Sequence, residues 1–223
     1  MPTMSRRSFL LSSLGVASLC LAGCGSGASK SSAATSASSA AASSPASSCV
    51  TSALGTYASG THHATIEVED YGTIKLELDA DVAPVTVANF AKLADEGFYN
   101  GLTFHRIISG FMVQGGDPNG NGTGGSDEKI VGEFSDNGHP NSISHVRGTI
   151  SMARAQAYNS ASSQFFIMQA DTPSLDGQYA AFGHVTEGMD VVDAMCEAAR
   201  PTDNNGTIAA ADQPRISSIT MGD

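Results

Sequence analysis

The chain has 223 residues, 41% hydrophobic and 15% charged, enough apolar material for one packed domain and an appendage. With 22 acidic against 11 basic residues its formal net charge is −11, which excludes a basic surface for nucleic acid and fits solubility better than a specific partner. The 24 glycines and 8 prolines point to a turn-rich, all-β organisation.

The first residues read as an address. Ser5-Arg6-Arg7-Ser8-Phe9-Leu10 is a twin-arginine pattern, followed by an apolar stretch from Phe9 to Ala22. That stretch is too short and too serine-rich to span a membrane. It ends in Leu21-Ala22-Gly23-Cys24, which looks like a bacterial lipoprotein cleavage box. Residues 1–23 are therefore expected to be a signal peptide and Cys24 the lipidation site. The expected location is outside the cytoplasm, lipid-anchored to the outer face of the cell membrane. An ordinary secretory signal with an incidental cysteine is the alternative.

Residues 24–60 continue as a Ser/Ala/Gly-rich segment that cannot bury enough apolar surface to offset its ordering entropy. It reads as a flexible tether, with a reach of about 30–36 Å. Cys20 belongs to the signal, leaving Cys49 in the tether and Cys196 in a predicted helix. A disulfide between these two is open in an oxidising compartment, although no other feature supports it.

The folded domain is expected over 61–223. His63–Asp70 alternates, Tyr71-Gly72 turns, and Ile74, Leu76 and Leu78 alternate again, which predicts a hairpin with one wet face. A helix follows, with Pro84 in its first turn, Val87, Phe90, Ala91 and Ala94 on one face, and Gly97 as its stop. Phe104–Gln114 predicts two strands split at Ser109-Gly110. Alternation groups Phe104, Arg106 and Ile108 on one face and His105 on the other.

The loop Gly115–Gly125 contains a literal G-x-G-x-x-G at Gly120, Gly122 and Gly125, but no helix follows to receive a phosphate. Strand patterns recur at Gly148–Met152, Gln164–Met168 and Ala180–Val185. A second helix is expected over about Met189–Ala199, with Met189, Val192, Met195 and Ala199 on one face, and a last strand near Ile216–Met221. Periodicity thus yields an all-β domain with two helices.

Three stretches carry more. Phe104-His105-Arg106-Ile107-Ile108-Ser109-Gly110-Phe111-Met112-Val113-Gln114-Gly115-Gly116-Asp117 places an arginine and a glutamine among hydrophobes, and arginine is almost never buried without a partner or a task. Gly148-Thr149-Ile150-Ser151-Met152-Ala153-Arg154 continues to Ser163-Gln164-Phe165-Phe166-Ile167, and Leu175-Asp176-Gly177-Gln178-Tyr179-Ala180-Ala181-Phe182-Gly183 follows. In order and spacing they resemble the cyclophilins, the barrel-type peptidyl-prolyl isomerases, over about residues 62–222.

The resemblance implies a closed eight-stranded antiparallel barrel capped by two α-helices, an isomerase that needs no cofactor, and proline-containing peptides and unfolded exported proteins as partners. A monomer is implied too. Arg106 matches the family's catalytic arginine. Phe111, Met112, Phe166 and Leu175 match the walls of its proline pocket. Gln114 would bind substrate backbone and orient Arg106, the backbone of Arg154, flanked by Ala153 and Ala155, would pair with the extended substrate, and Gln164 would lie at the neighbouring subsite. His105 reads as structural.

The departures are specific. Ser174 stands where many members have tryptophan, implying weak cyclosporin sensitivity, and Tyr179 stands where histidine is usual. Arg154 replaces a common asparagine, and the Gln156–Ala161 loop is one residue longer. The remaining histidines have no carboxylate or cysteine at metal-ligand spacing, so no metal is expected. A cyclophilin-like module that binds proline-containing segments without turnover is the alternative, expected to show a lost arginine or an obstructed pocket.

Overall fold

A computed structural model describes residues 55–222. The expected signal peptide, Cys24 and Cys49 lie outside them. Of the expected tether, residues 55–60 are described. They lead into the domain: Tyr57 packs on the core and its hydroxyl donates to Asp95, while Gly60 N donates to Asp81.

The alternating hairpin forms as its sequence dictates. Strands β1 (Thr61–Val68) and β2 (Gly72–Asp79) pair antiparallel in unbroken register, His63 opposite Glu77 and Ile66 opposite Ile74. Ala64, Ile66, Val68, Ile74, Leu76 and Leu78 point inward and are buried. Helix α1 (Pro84–Asp95) starts on its proline, and its Val87, Phe90, Ala91 and Ala94 are buried as predicted. Helix α2 (Met189–Ala198) buries Val191, Val192, Met195 and Cys196, with Met189 and Ala199 partly buried beside them. Burial raises the Cys196 thiol to about 11, so this cysteine is a core group.

The remaining strands are β3 (Thr103–Ile108), β4 (Met112–Asp117), β5 (Thr149–Met152), β6 (Phe165–Met168), β7 (Ala181–Glu187) and β8 (Ile216–Gly222). One antiparallel sheet runs β3-β4-β6-β5-β7-β2-β1-β8 and curls around a core in which Phe90, Tyr99, Phe104, Phe165 and Phe182 meet. The sheet is open where a closed barrel was expected. β3 and β8 meet only at their starts, where Phe104 N donates to Pro214 O at 2.9 Å and Ile216 N to Leu102 O at 2.8 Å.

Further along, the edge of β3 is taken by the segment before β8: Ile107 N donates to Gly206 O at 2.8 Å and Ile208 N to His105 O at 2.9 Å. Glycine is needed at 206. Its φ is +84°, and a Cβ there would lie 2.7 Å from Ile107 O. The segment therefore takes the edge of β3 that β8 could reach only by extending backward from its start.

A second departure matters more for the site. The register slips between Phe104 and Arg106, so Phe104 pairs with Gly115 and Arg106 with Gln114, with His105 bulged between. Phe104 turns into the main core, whereas Arg106 and Ile108 face outward. The expected grouping of Phe104 with Arg106 is thus broken by a bulge, a device that re-aims a side chain. His105 is buried as a structural residue, and neither ring nitrogen has a partner among the described residues.

Candidate active site

β4 and β6 alternate between two apolar clusters. Val113, Phe165 and Ile167 point into the core, whereas Met112, Phe166 and Met168 point outward into a smaller cluster with Ile108, Phe111, Ala153, Leu175 and Tyr179 around it. Beside that cluster is an open pocket of about 150 Å³. Its apolar walls are Phe111, Met112, Phe166 and Leu175, and Tyr179 stands edge-on to Phe166 with centroids 5.7 Å apart at 86°. Arg106, Gln114, Ala153 and Arg154 complete it.

Arg106 is held from two sides. Its Nε donates to Asn205 O at 2.7 Å, and Nη1 donates to Gln114 Oε1 at 3.1 Å and lies 3.8 Å from Met112 Sδ. Gln114 Nε2 donates to Gln164 Oε1 at 2.9 Å, and Gln164 Nε2 donates to Gly124 O at 2.7 Å. A chain of bonds from arginine through two amides to a backbone carbonyl fixes the guanidinium plane and polarises each member.

Nη2 makes no hydrogen bond among the described residues, which leaves guanidinium donors for a ligand. Burial lowers the Arg106 pKa, partly offset by Tyr179 and Asp203, yet arginine stays cationic. Asn205 is itself set by Asp203, whose carboxylate accepts from the N–H groups of Asn205 and Thr207.

A second pocket of about 270 Å³ adjoins the first. Gln164 and Ala155 line it, while Gln114, Ala153 and Arg154 line both. All the site residues expected in the folded domain therefore fall in two neighbouring pockets, with Gln164 and Ala155 in the second. The glycine-rich loop edges the second pocket through Gly122, Thr123 and Gly124. Its shape comes from buried Asp117. Burial works against that carboxylate, but N–H groups of Asn119, Asn121 and Gly122 outweigh it and lower its pKa.

Two side chains do more than their sequence positions suggested. Arg154, expected to act through its backbone, lays its guanidinium 4.8 Å from the Tyr179 ring, 5.0 Å from Phe134 and 5.2 Å from Tyr158. It also donates to the carbonyls of Gln178, Ala155 and Gln156. The longer Gln156–Ala161 loop is thereby pinned, helped by Ala155 N donating to Ser160 Oγ at 3.0 Å. Tyr179 contributes through its ring.

His145, one of the histidines with no carboxylate at metal-ligand spacing, meets one across the fold: its Nδ1 lies 2.8 Å from Asp176 Oδ1, 31 residues away. No local spacing could have revealed that pair. Among the described residues no group of three could hold a metal ion, and no helix is long and apolar enough to cross a membrane.

Residues 63–220 match the family model of the cyclophilin type peptidyl-prolyl cis-trans isomerases. The chain belongs to this family. It is an isomerase enzyme, and its relatives carry that name. A Helicobacter pylori peptidyl-prolyl cis-trans isomerase is 50% identical over 137 residues, 60% of this chain and 80% of that one. Peptidyl-prolyl cis-trans isomerase B of Bacillus subtilis is 48% identical over 128 residues, 57% of this chain and 86% of that one. A crystal structure of a Cryptosporidium parvum cyclophilin type isomerase superposes with a TM-score of 0.65 at 30% identity, covering 74% of this chain and 99% of its own. A second structure of that protein, determined in the presence of the dipeptide Ala-Pro, superposes with a TM-score of 0.63 at 31% identity and covers 72% of this chain and 99% of its own.

Proposed function

We propose that this isomerase turns X–Pro bonds in unfolded proteins exported beyond the cytoplasmic membrane, with Arg106 as the catalytic donor. Rotation about a peptide bond faces about 18–20 kcal/mol because the C–N bond has double-bond character. The two X–Pro isomers differ by only about 0.5–1 kcal/mol yet exchange over tens to hundreds of seconds. Twisting the amide breaks conjugation and makes the prolyl nitrogen a better acceptor. A fixed donor aimed at that nitrogen stabilises the twisted state more than the planar one, and this difference is catalysis. Such chemistry needs no nucleophile, cofactor or metal. Lowering the barrier by about 7 kcal/mol accelerates exchange roughly 10⁵-fold.

The observation that carries this reading is the Arg106 guanidinium, fixed by Asn205 and Gln114 beside an apolar pocket of about 150 Å³. Phe111, Met112, Phe166 and Leu175 hold the proline ring, with Tyr179 at its edge. Gln114 binds the substrate backbone while orienting Arg106. Ala153, Arg154 and Ala155 flank the extended peptide, and Gln164 serves the neighbouring subsite. The Ala-Pro dipeptide used with the Cryptosporidium relative is a ligand of the size this pocket would take.

The twin-arginine pattern at Ser5–Leu10 and the box Leu21–Cys24 support export and lipid attachment at Cys24, with residues 25 to about 60 as tether to a monomeric domain. Fractionation of cells carrying wild type or Cys24→Ser tests the location. Wild type should sediment with membranes and the variant should be released; a wild type found in the cytoplasm contradicts it. Refolding of an exported protein limited by a proline step should accelerate on adding the isomerase, and an unchanged slow phase contradicts the assigned substrates.

A further inference from the structure

His145 lies in the loop before β5, fully buried, and its ring joins three pieces of the pocket. Nδ1 stands 2.8 Å from Asp176 Oδ1 and Nε2 3.0 Å from Ser151 Oγ. A carboxylate only accepts, so Nδ1 carries the proton and the neutral ring accepts from the Ser151 hydroxyl at Nε2. Burial lowers the imidazole pKa against the opposing pull of Asp176, in keeping with that neutral form.

One face of the ring backs Phe166, nearly parallel at 19° with centroids 6.0 Å apart, and Tyr179 meets its edge at 6.5 Å. The backbone adds two ties: His145 N donates to Asp176 Oδ1 at 2.7 Å, and His145 O accepts from Thr172 N at 2.7 Å. The loop 172–179, which carries Leu175 and Tyr179, is thus stitched to His145 at its start and its middle. The order serine, histidine, carboxylate resembles a hydrolase triad, but Ser151 is 0% exposed and no substrate can reach it. The assembly is a support.

We infer that His145 is a positioning residue for prolyl binding: joining Asp176 to Ser151 and backing Phe166, it sets the width of the pocket between Phe166 and the Leu175–Tyr179 loop. The inference rests on reading that pocket as the proline site. Arg106 is anchored separately, on Asn205 and Gln114. Loosening the loop therefore weakens planar and twisted substrate alike, which raises KM and spares kcat.

The test measures kcat and KM for an X–Pro peptide by NMR exchange, Kd for the same peptide by chemical-shift titration, and thermal unfolding. His145→Phe keeps a ring against Phe166 and deletes the bridge; KM and Kd should rise about fivefold with kcat within about twofold, the scale of one buried hydrogen bond. His145→Asn places an amide donor near the position of Nδ1 and should recover part of the loss. Asp176→Asn, which still accepts, should stay near wild type.

Asp176→Ala should match or exceed His145→Phe, and the double variant should be no weaker than Asp176→Ala alone. Unchanged KM and Kd in a folded His145→Phe overturn the inference, as does a fall confined to kcat. If His145→Phe does not fold, Asp176→Ala decides, and unchanged KM and Kd there overturn it equally. Wild type that binds peptide without accelerating exchange removes the catalytic reading alone and leaves the Kd series to decide. Wild type that does neither overturns both.

Discussion

The two faces of β4 and β6 are both buried, and they do opposite things. Inward, Phe165 and Ile167 are sealed in a core of aromatic and branched side chains, with no exposed area. Outward, Met112 and Phe166 form one side of an open pocket, with Met168 packed beside them. Successive residues of one strand therefore serve stability and binding in turn. Burial alone does not mark a core residue: Phe165 and Phe166 are both buried, and what distinguishes them is whether the space beyond is filled.

The largest effect expected from that contrast is on stability. Phe165→Ala should cost about 3–5 kcal/mol of unfolding free energy in urea titration, because the rings of Phe90, Tyr99 and Phe104 pack against it and cannot collapse into the cavity. Phe166→Ala should cost less stability while raising KM about tenfold or more, the loss of a wall worth about 1.5–3 kcal/mol. Equal stability losses with unchanged KM would erase the distinction between the faces.

Next comes the support of Arg106. Gly206→Ala forces a side chain into a positive φ and against Ile107 O, and should cost about 1–3 kcal/mol while lowering kcat, since Asn205 O holds the arginine. Gln114→Ala should lower kcat/KM about tenfold with little change in unfolding, one charge-assisted bond removed from a half-buried site.

A further effect is on pH. Burial lowers the pKa of His105, despite Asp117 and with help from Arg106, and that of His145, despite Asp176. The unfolded chain then binds more protons than the fold below about pH 6.5. Stability should be full above that pH and fall as pH drops toward the lowered folded values, by up to about 1.4 kcal/mol per unit per histidine. Asp117 and Asp176 act in the same direction only at lower pH, below the ordinary carboxylate range. His105→Gln should flatten the slope below about pH 6.5 in urea titrations; an unchanged slope would contradict the assignment. The smallest effect concerns cyclosporin: wild type should be weakly inhibited, and Ser174→Trp should strengthen inhibition without a large change in kcat.

Much of this was legible in the chain. The wet and dry faces of β1 and β2, the buried face of α1 and the positions of Arg106 and Phe166 follow from spacing and motif. The rest is nonlocal. The bulge that parts Phe104 from Arg106 leaves no local signature, because alternation is counted along one strand while the slip belongs to a pair of strands. The gap between β3 and β8 depends on Gly206–Ile208 taking the edge first. Arg154 read as a backbone contact because two of its three aromatic partners, Phe134 and Tyr179, come from distant parts of the chain, and His145 meets Asp176 only after folding.

The central claim is that the anchored guanidinium of Arg106 stabilises the twisted amide. Its most direct test is the exchange rate of an X–Pro peptide, measured by NMR with wild type and with Arg106→Ala under saturating peptide. Accelerated exchange in wild type should fall about 10²–10³-fold in the variant, with Kd for the peptide changed far less and folding intact. A variant that keeps the wild-type rate would contradict the account.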